Sequence, residues 1–286
     1  MYKMKLILKI NFFFLLVLVF ACNNFQYKTT NQFHKQQAAL FIKEISAVPF
    51  PVVDTINNLN SPQWIGTTNF DLRKPNFVVI HHTAQNSCEE TLRTFTLERT
   101  KVSAHYVICK DGTVHHMLND YFRAWHGGVA KWGNATDINS SSIGIELDNN
   151  GIEPFAPKQI SSLMNLLLTL KNKYKIPETN FIGHADIAPT RKDDPNIHFP
   201  WALLAKKGFG VWYEPNANFT LPNNLTVPYA LALVGYDVKD TTAAIIAFKR
   251  HFRQDSTVLV TEADKSVMAQ IIQKKLGLPE VKVVRK

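Results

Sequence analysis

The sequence predicts an α/β domain followed by a small three-helix module, and three observations carry that expectation. Short β-branched apolar runs, Phe77-Val-Val-Ile80 and Ser142-Ile-Gly-Ile-Glu-Leu147, have the composition of buried strands. Residues 157–174 place Ile160, Leu163, Met164, Leu167 and Leu168 at helical spacing, as in an amphipathic helix lying on a sheet. Beyond a stretch rich in Pro and Asn, 214–225, the remaining apolar segments read as helices.

Along the chain, Phe77–Ile80 runs straight into His81-His82-Thr83, and Glu89 to Thr100 is expected to be helical. Ser103 to Cys109 reads as a strand, Lys110-Asp-Gly112 as a hairpin turn and Thr113 to Leu118 as the return strand. A loop around Trp125-His-Gly-Gly128 precedes the strand Ser142–Leu147, and Phe181-Ile182 is the last strand. Strands interleaved with helices in this way gather functional loops at one rim of the sheet. The module is expected as helices over Val227–Val234, Thr241–Phe252 and Thr261–Leu276. Thr261 with Asp264 has the pattern of a capping box, and Gly277 stands where a helix stop belongs.

Upstream, residues 22–62 are polar except for Ala38 to Val53, expected as a short helix and then an extended docking segment bounded by Pro49 and Pro51. At the start of the chain, Lys3, Lys5 and Lys9 precede an apolar run from Phe12 to Ala21. At about ten residues that run suits the core of an export signal and falls short of the roughly 20 needed to span a bilayer. It ends at Val19-Phe-Ala-Cys22, which resembles the bacterial lipoprotein box and makes Cys22 the expected lipidated residue, although Phe20 is bulky for its position. The expected organisation is a signal over 1–21, a tether and docking segment over 22–62, the α/β domain over 63–213, a linker over 214–226 and the helical module over 227–286.

A chain of 286 residues accommodates two domains on a prior of roughly 100–200 residues each. Its 45% hydrophobic and 19% charged residues are ordinary for a globular protein. The formal net charge of +9 comes from Lys and Arg spread along the chain with no RNA or DNA motif, so nucleic acid is not an expected partner. A basic surface suits a carboxylate-bearing cell wall or an anionic membrane face. Cys88 and Cys109 would be free to pair in an oxidising compartment, but two isolated thiols is the leading reading, and neither has the spacing of a metal ligand.

The segment Phe181-Ile-Gly-His-Ala-Asp-Ile-Ala-Pro-Thr-Arg-Lys-Asp-Asp-Pro195 concentrates a histidine, Asp186, Asp193, Asp194, Arg191 and Lys192 in a loop after a strand. Successive strand residues face opposite sides, so only one of His81 and His82 can look into a site shared with that loop. Two histidines and an aspartate supply the three protein ligands a hydrolytic zinc ion takes, leaving a fourth position open. His105 and His115, within strands, read as buried structural residues.

Val79-Ile-His-His-Thr83, Ser103-Ala-His-Tyr106, Ala124-Trp-His-Gly127, Asn139 with Ser142-Ile-Gly-Ile-Glu146, and Gly183-His-Ala-Asp to Asp194-Pro195 resemble, in order and spacing, the zinc-dependent N-acetylmuramoyl-L-alanine amidases of the type 2 family. The resemblance covers roughly residues 76–201, and within the family it is nearest the outer-membrane lipoprotein amidases. The C-terminal stretch, with Leu233-Val-Gly-Tyr-Asp-Val238 and Ala247-Phe-Lys-Arg-His-Phe252, is more weakly similar to a helical peptidoglycan-binding module.

The resemblance implies a central mixed β-sheet flanked by helices, with His81, His184 and Asp194 as ligands of Zn2+, Glu146 as general base and Lys192 over the developing oxyanion. It leaves Asp193 as a neighbouring carboxylate outside the ligand set. In the Gly-rich loop, Trp125 and His126 are expected to line the substrate groove, with Trp125 either stacking on substrate or packing as core, and Arg191 is expected to pair with a stem-peptide carboxylate or with Asp193. Where the family commonly has Asp-Pro-Gly, this chain has Asp194-Pro195-Asn196, and Asn also tolerates the left-handed conformation. The implied activity is hydrolysis of the amide between the lactyl group of N-acetylmuramic acid and L-alanine, by a monomer tethered through a lipid anchor on the periplasmic side of the outer membrane. A recognition protein that binds muropeptides on the same fold without cutting them is the rival. It would be marked by a missing metal ligand, and no ligand position is missing. A purely structural wall-anchoring lipoprotein would leave Glu146 and Lys192 without a role.

Overall fold

The computed structural model describes residues 26–47, 67–69, 71–217 and 219–278. The signal, Cys22 and the Pro49–Pro51 docking segment lie outside them. Helix α1 (Lys28–Ser46) belongs to the N-terminal unit, Met1–Asp71, and buries none of its side chains. It starts ten residues ahead of the expected Ala38, and the reason is that residues 28–37 carry no apolar stripe. Their Lys and Gln favour helix through intrinsic propensity alone, which hydrophobic periodicity does not register.

The second unit, Leu72–Lys286, is built on a five-stranded sheet in the order β3-β2-β4-β1-β5. Its strands are β1 (Phe77–His82), β2 (Tyr106–Ile108), β3 (Val114–His116), β4 (Ser142–Leu147) and β5 (Phe181–Gly183). β1 runs parallel to β4 and β5, β2 runs parallel to β4, and β3 returns antiparallel beside β2. The sheet is therefore mixed, flanked by helices as expected. The hairpin turns through Gly112, whose φ of +92° only glycine adopts without strain.

The period of two along β1 and β4 separates two chemistries. Val78 and Ile80, with Ile143, Ile145 and Leu147, form a core with Leu163, Leu167 and Leu170 of α3 (Pro157–Tyr174). Val79 and Ile182 join a second core on the other face, together with Leu231, Phe248, Met268 and Ile271. Those four come from the C-terminal helices α6 (Val227–Val234), α7 (Thr241–Arg253) and α8 (Glu262–Leu276). Asp240 caps α7, the Thr261–Asp264 box caps α8, and Gly277 ends it with φ +63°.

The helices of the expected module thus pack on the sheet within one compact unit. The expected linker is fastened along α8: the Glu214 amide donates to Gln270 Oε1, the Phe219 amide to Ser266 Oγ, and Gln270 Nε2 to the Ala217 carbonyl. Buried Asp186 ties the same helices to the sheet rim. Its carboxylate accepts bonds of 2.7 Å from the Gly183 amide, the Tyr236 hydroxyl and His251 Nδ1, and the His251 ring stacks on Trp201, the first residue of α5 (Trp201–Lys206).

Helix α2 (Cys88–Phe95), capped by Ser87, is shorter than the expected 89–100, whose end is a separate 3-10 turn at Glu98–Thr100. Its first residue is disulfide-bonded to Cys109, 21 residues away, so the leading reading of two free thiols is corrected. Their spacing did not signal the pair, because the contact exists only once α2 lies against the end of β2. Closing a loop of this size stabilises the fold by about 3 kcal/mol in the chain-entropy account.

Candidate functional site

His81 is the penultimate residue of β1, on the face opposite the α3 core, and Glu146 stands beside it in register on β4. Neighbouring strands lie about 4.8 Å apart, so the two side chains rise from adjacent positions on one face. His82 points the other way, and its Nδ1 accepts a bond from the Asn196 amide. His184 follows β5 directly as the first residue of α4 (His184–Ile187), a single helical turn where a loop was expected. The loop returns through Asp194, whose carbonyl accepts from the Ala185 amide at 2.7 Å. Asn196 is not left-handed: it is buried, and its side chain donates to Asn149 Oδ1.

These three residues converge. His81 Nδ1 lies 2.9 Å from His184 Nδ1, and both are 3.0 Å from Asp194 Oδ2. All three are buried, and their atoms form a group able to hold a metal ion. Hydrogen bonds alone cannot satisfy such a triangle, since each N–H points at one acceptor and two facing imidazole nitrogens share at most one proton. A cation near the centre satisfies all three lone pairs at once.

Burial and the neighbouring His184 lower His81 to about 4, so it is neutral at pH 7, the form that ligates. Burial alone would raise Asp194, but the His184 and His81 imidazoles close against it outweigh that and hold the carboxyl far below the usual carboxylate range. Glu146 shifts in the opposite direction. Burial and then repulsion from Asp194 push it up to about 8, with the Lys192 charge pulling it partly back. Its Oε2 is buried with no hydrogen-bond partner among the described residues. An acid poised near neutral pH with an unsatisfied oxygen is the profile of a proton-transfer group.

The other expected site residues divide. Lys192 and Asp193 are exposed in the loop, and the Lys192 charge bears on both Glu146 and His81. Trp125 is 50% exposed, which removes core packing as its role. Arg191 is exposed but its Nη2 donates to the carbonyls of Gly127 (3.1 Å) and Val129, clamping the loop that carries Trp125. His126, expected to line the groove, is instead buried beside His81, with its Nδ1 3.0 Å from His81 Nε2.

The cause is Gly144: a Cβ there would lie 2.4 Å from the His126 ring, so the missing side chain opens the slot the ring fills. A glycine inside a β-branched strand is the signal that could have located this close approach. His105 is buried and bridges the Gly144 amide and the Phe122 carbonyl, whereas His115 is half-exposed on β3. Two motif residues to which the sequence assigned no role also contribute: the Gly127 carbonyl lies 3.2 Å from His184 Nε2, and Asn139 Oδ1 accepts from the Gly127 and His126 amides.

The family described as N-acetylmuramoyl-L-alanine amidase matches residues 71–197. Over 231 residues the chain is 33% identical to N-acetylmuramoyl-L-alanine amidase AmiD of Escherichia coli, spanning 70% of this chain and 83% of that one. Over 102 residues it is 38% identical to the 1,6-anhydro-N-acetylmuramyl-L-alanine amidase AmpD of Haemophilus influenzae, covering 35% of this chain and 55% of that protein. Among solved structures, E. coli AmiD in complex with anhydro-N-acetylmuramic acid-L-Ala-D-gamma-Glu-L-Lys superimposes with a TM-score of 0.65 at 29% identity, covering 80% of this chain and 99% of AmiD. AMPDH3 of Pseudomonas aeruginosa in complex with anhydromuramic pentapeptide gives 0.65 at 25% identity, covering 78% and 98%.

Proposed function

Because the chain belongs to the N-acetylmuramoyl-L-alanine amidase family, we infer that the His81, His184 and Asp194 triangle holds zinc and that Glu146 beside it drives hydrolysis of the muramoyl–L-alanine amide. The protein is a peptidoglycan amidase, and the role that activity would serve is cell-wall turnover or recycling. The observation that carries the zinc reading is the triangle itself. Donors around a tetrahedral zinc with bonds of about 2.0 Å stand about 3.3 Å apart, close to the spacing found here, and two imidazoles with a carboxylate are a donor set zinc takes in catalytic sites.

When bound, zinc supplies polarisation of the amide carbonyl and acidifies water at the site. In its ionised form, which a cation held beside it would favour, Glu146 takes the proton of the attacking water and returns it to the leaving alanine nitrogen, so each catalytic cycle leaves the carboxylate unchanged. Lys192 faces the negative charge that develops on the amide oxygen, a contribution worth about 3 kcal/mol for a single donor. Half-exposed Trp125 offers an apolar face to the sugar or stem peptide.

Purified protein incubated with muropeptides is expected to release the intact stem peptide with a free L-alanine amine, and a chelator is expected to stop it. Mass spectra showing the same products in chelator would overturn the zinc assignment, and no products under either condition would overturn the activity.

Attachment to the periplasmic side of the outer membrane through Cys22 is proposed on the Lys3, Lys5 and Lys9 region, the Phe12–Ala21 run and the Val19–Cys22 box. A mass spectrum of the mature N-terminus is expected to show acyl chains on Cys22, and an unmodified amine at that residue would rule out the anchor.

A further inference from the structure

We propose that His126 is a positioning residue that holds His81 in the tautomer whose Nδ1 lone pair faces His184 and Asp194. Four residues in series carry the inference. The Ile138 carbonyl can only accept, and Ser142 Oγ lies 2.6 Å from it, so the serine hydrogen lies between them. Ser142 Oγ is then left to accept from its other neighbour, His126 Nε2, at 3.0 Å. With its hydrogen on Nε2, the neutral His126 ring presents a bare Nδ1, and that nitrogen lies 3.0 Å from His81 Nε2. His81 therefore carries its hydrogen on Nε2, and its Nδ1 is free to ligate.

The two histidines of the triangle are thus oriented by different means. His184 Nε2 sits 3.2 Å from the Gly127 carbonyl, a backbone acceptor that fixes its tautomer directly. For His81 the acceptor is a side chain, set at one remove by the carbonyl of Ile138. Metal-bound histidines ordinarily donate to a carboxylate, a carbonyl or water, and loss of such a partner weakens metal binding by about 10- to 100-fold. Here an imidazole takes that place, held in its slot by Gly144 beneath it and by the edge-on rings of His81 and His105 beside it. Asn139 fixes its backbone.

The proposal rests on the zinc reading above, and its test separates the two. Zinc is titrated into the metal-free full chain against a competing fluorescent chelator. His126→Leu removes the acceptor but keeps apolar bulk over Gly144. It is expected to weaken zinc binding by about 10- to 100-fold while the metal-free melting temperature stays close to that of the parent. Ser142→Ala, which frees the His126 tautomer, is expected to weaken binding by less, and Ser142→Thr, which keeps a hydroxyl, to restore it. Long-range nitrogen–proton spectra of the metal-free chain should show both His126 and His81 protonated on Nε2.

A parent chain that fails to bind zinc would sink the zinc reading. Parental affinity in His126→Leu would sink only this proposal. So would a loss of affinity matched by an equal loss of metal-free stability, or a His126 found protonated on Nδ1. Should His126→Leu fail to fold, the Ser142 pair and the spectra decide the question alone.

Discussion

Replacing Glu146 with glutamine is expected to lower turnover by between about 100-fold and about 10,000-fold, the range for loss of a general acid–base group, with bound zinc and KM nearly unchanged. Glutamine keeps the shape of the side chain on β4 but cannot carry a proton between water and the leaving amine. The same variant carries a stability signature. Glu146 is raised from 4.5 to about 8 in the fold, so between those values the folded chain holds a proton that the unfolded chain has released. Stability of the metal-free protein therefore falls as pH rises through that window, by on the order of a few kcal/mol from this group. Glutamine removes the ionisation, so metal-free Glu146→Gln should melt above the parent at about pH 9 and close to it at about pH 4. Unchanged muropeptide cleavage would remove Glu146 from the chemistry, and identical melting of the two proteins at alkaline pH would contradict its burial as a neutral acid.

Asp194→Ala is expected to abolish zinc binding and, with it, activity, while Asp193→Ala leaves both within about twofold. The two carboxylates are adjacent in sequence and opposite in situation. Asp194 is buried 3.0 Å from both imidazoles, and Asp193 faces solvent. Truncating Asp194 leaves two Nδ1 atoms 2.9 Å apart with no anion between them. The loss in zinc affinity should exceed the roughly 100-fold upper range for outer partners of a metal ligand. Removing an exposed, unburdened carboxylate is an ordinary surface change, within about 0.5 kcal/mol. Metal analysis of the two purified variants distinguishes them, and the reverse pattern would reassign the ligand.

The site separates what a sequence can show from what only packing creates. Alternation along β1 decides that His81 and His82 diverge, and that rule needs nothing beyond the identity of a strand. Resemblance then selects His81, and the register of β1 with β4 sets Glu146 beside it. His126 is a different case, because its place depends on an absent side chain at Gly144, on a separate strand, and no pattern local to residues 124–127 reveals it. For the C-terminal helices, caps and periodicity give the boundaries to within a residue or so, yet which face meets which partner is not a local property, so their docking on Val79 and Ile182 was not visible. The polar helix α1 escaped the same reading for the converse reason, having no buried face to mark it.

Asp186 turns this docking into a constraint on inheritance. It lies two residues past His184, and two of the donors to its carboxylate, Tyr236 and His251, belong to the tail helices and the turn between them. Recombination that exchanged the tail at 214–226 would leave the recipient with a buried acid stripped of those donors, close to His184. Lineages that shed or swap the tail must therefore change Asp186 or supply equivalent donors, and chimaeras designed by splicing at that Pro- and Asn-rich stretch should carry the hydroxyl and the imidazole across with it.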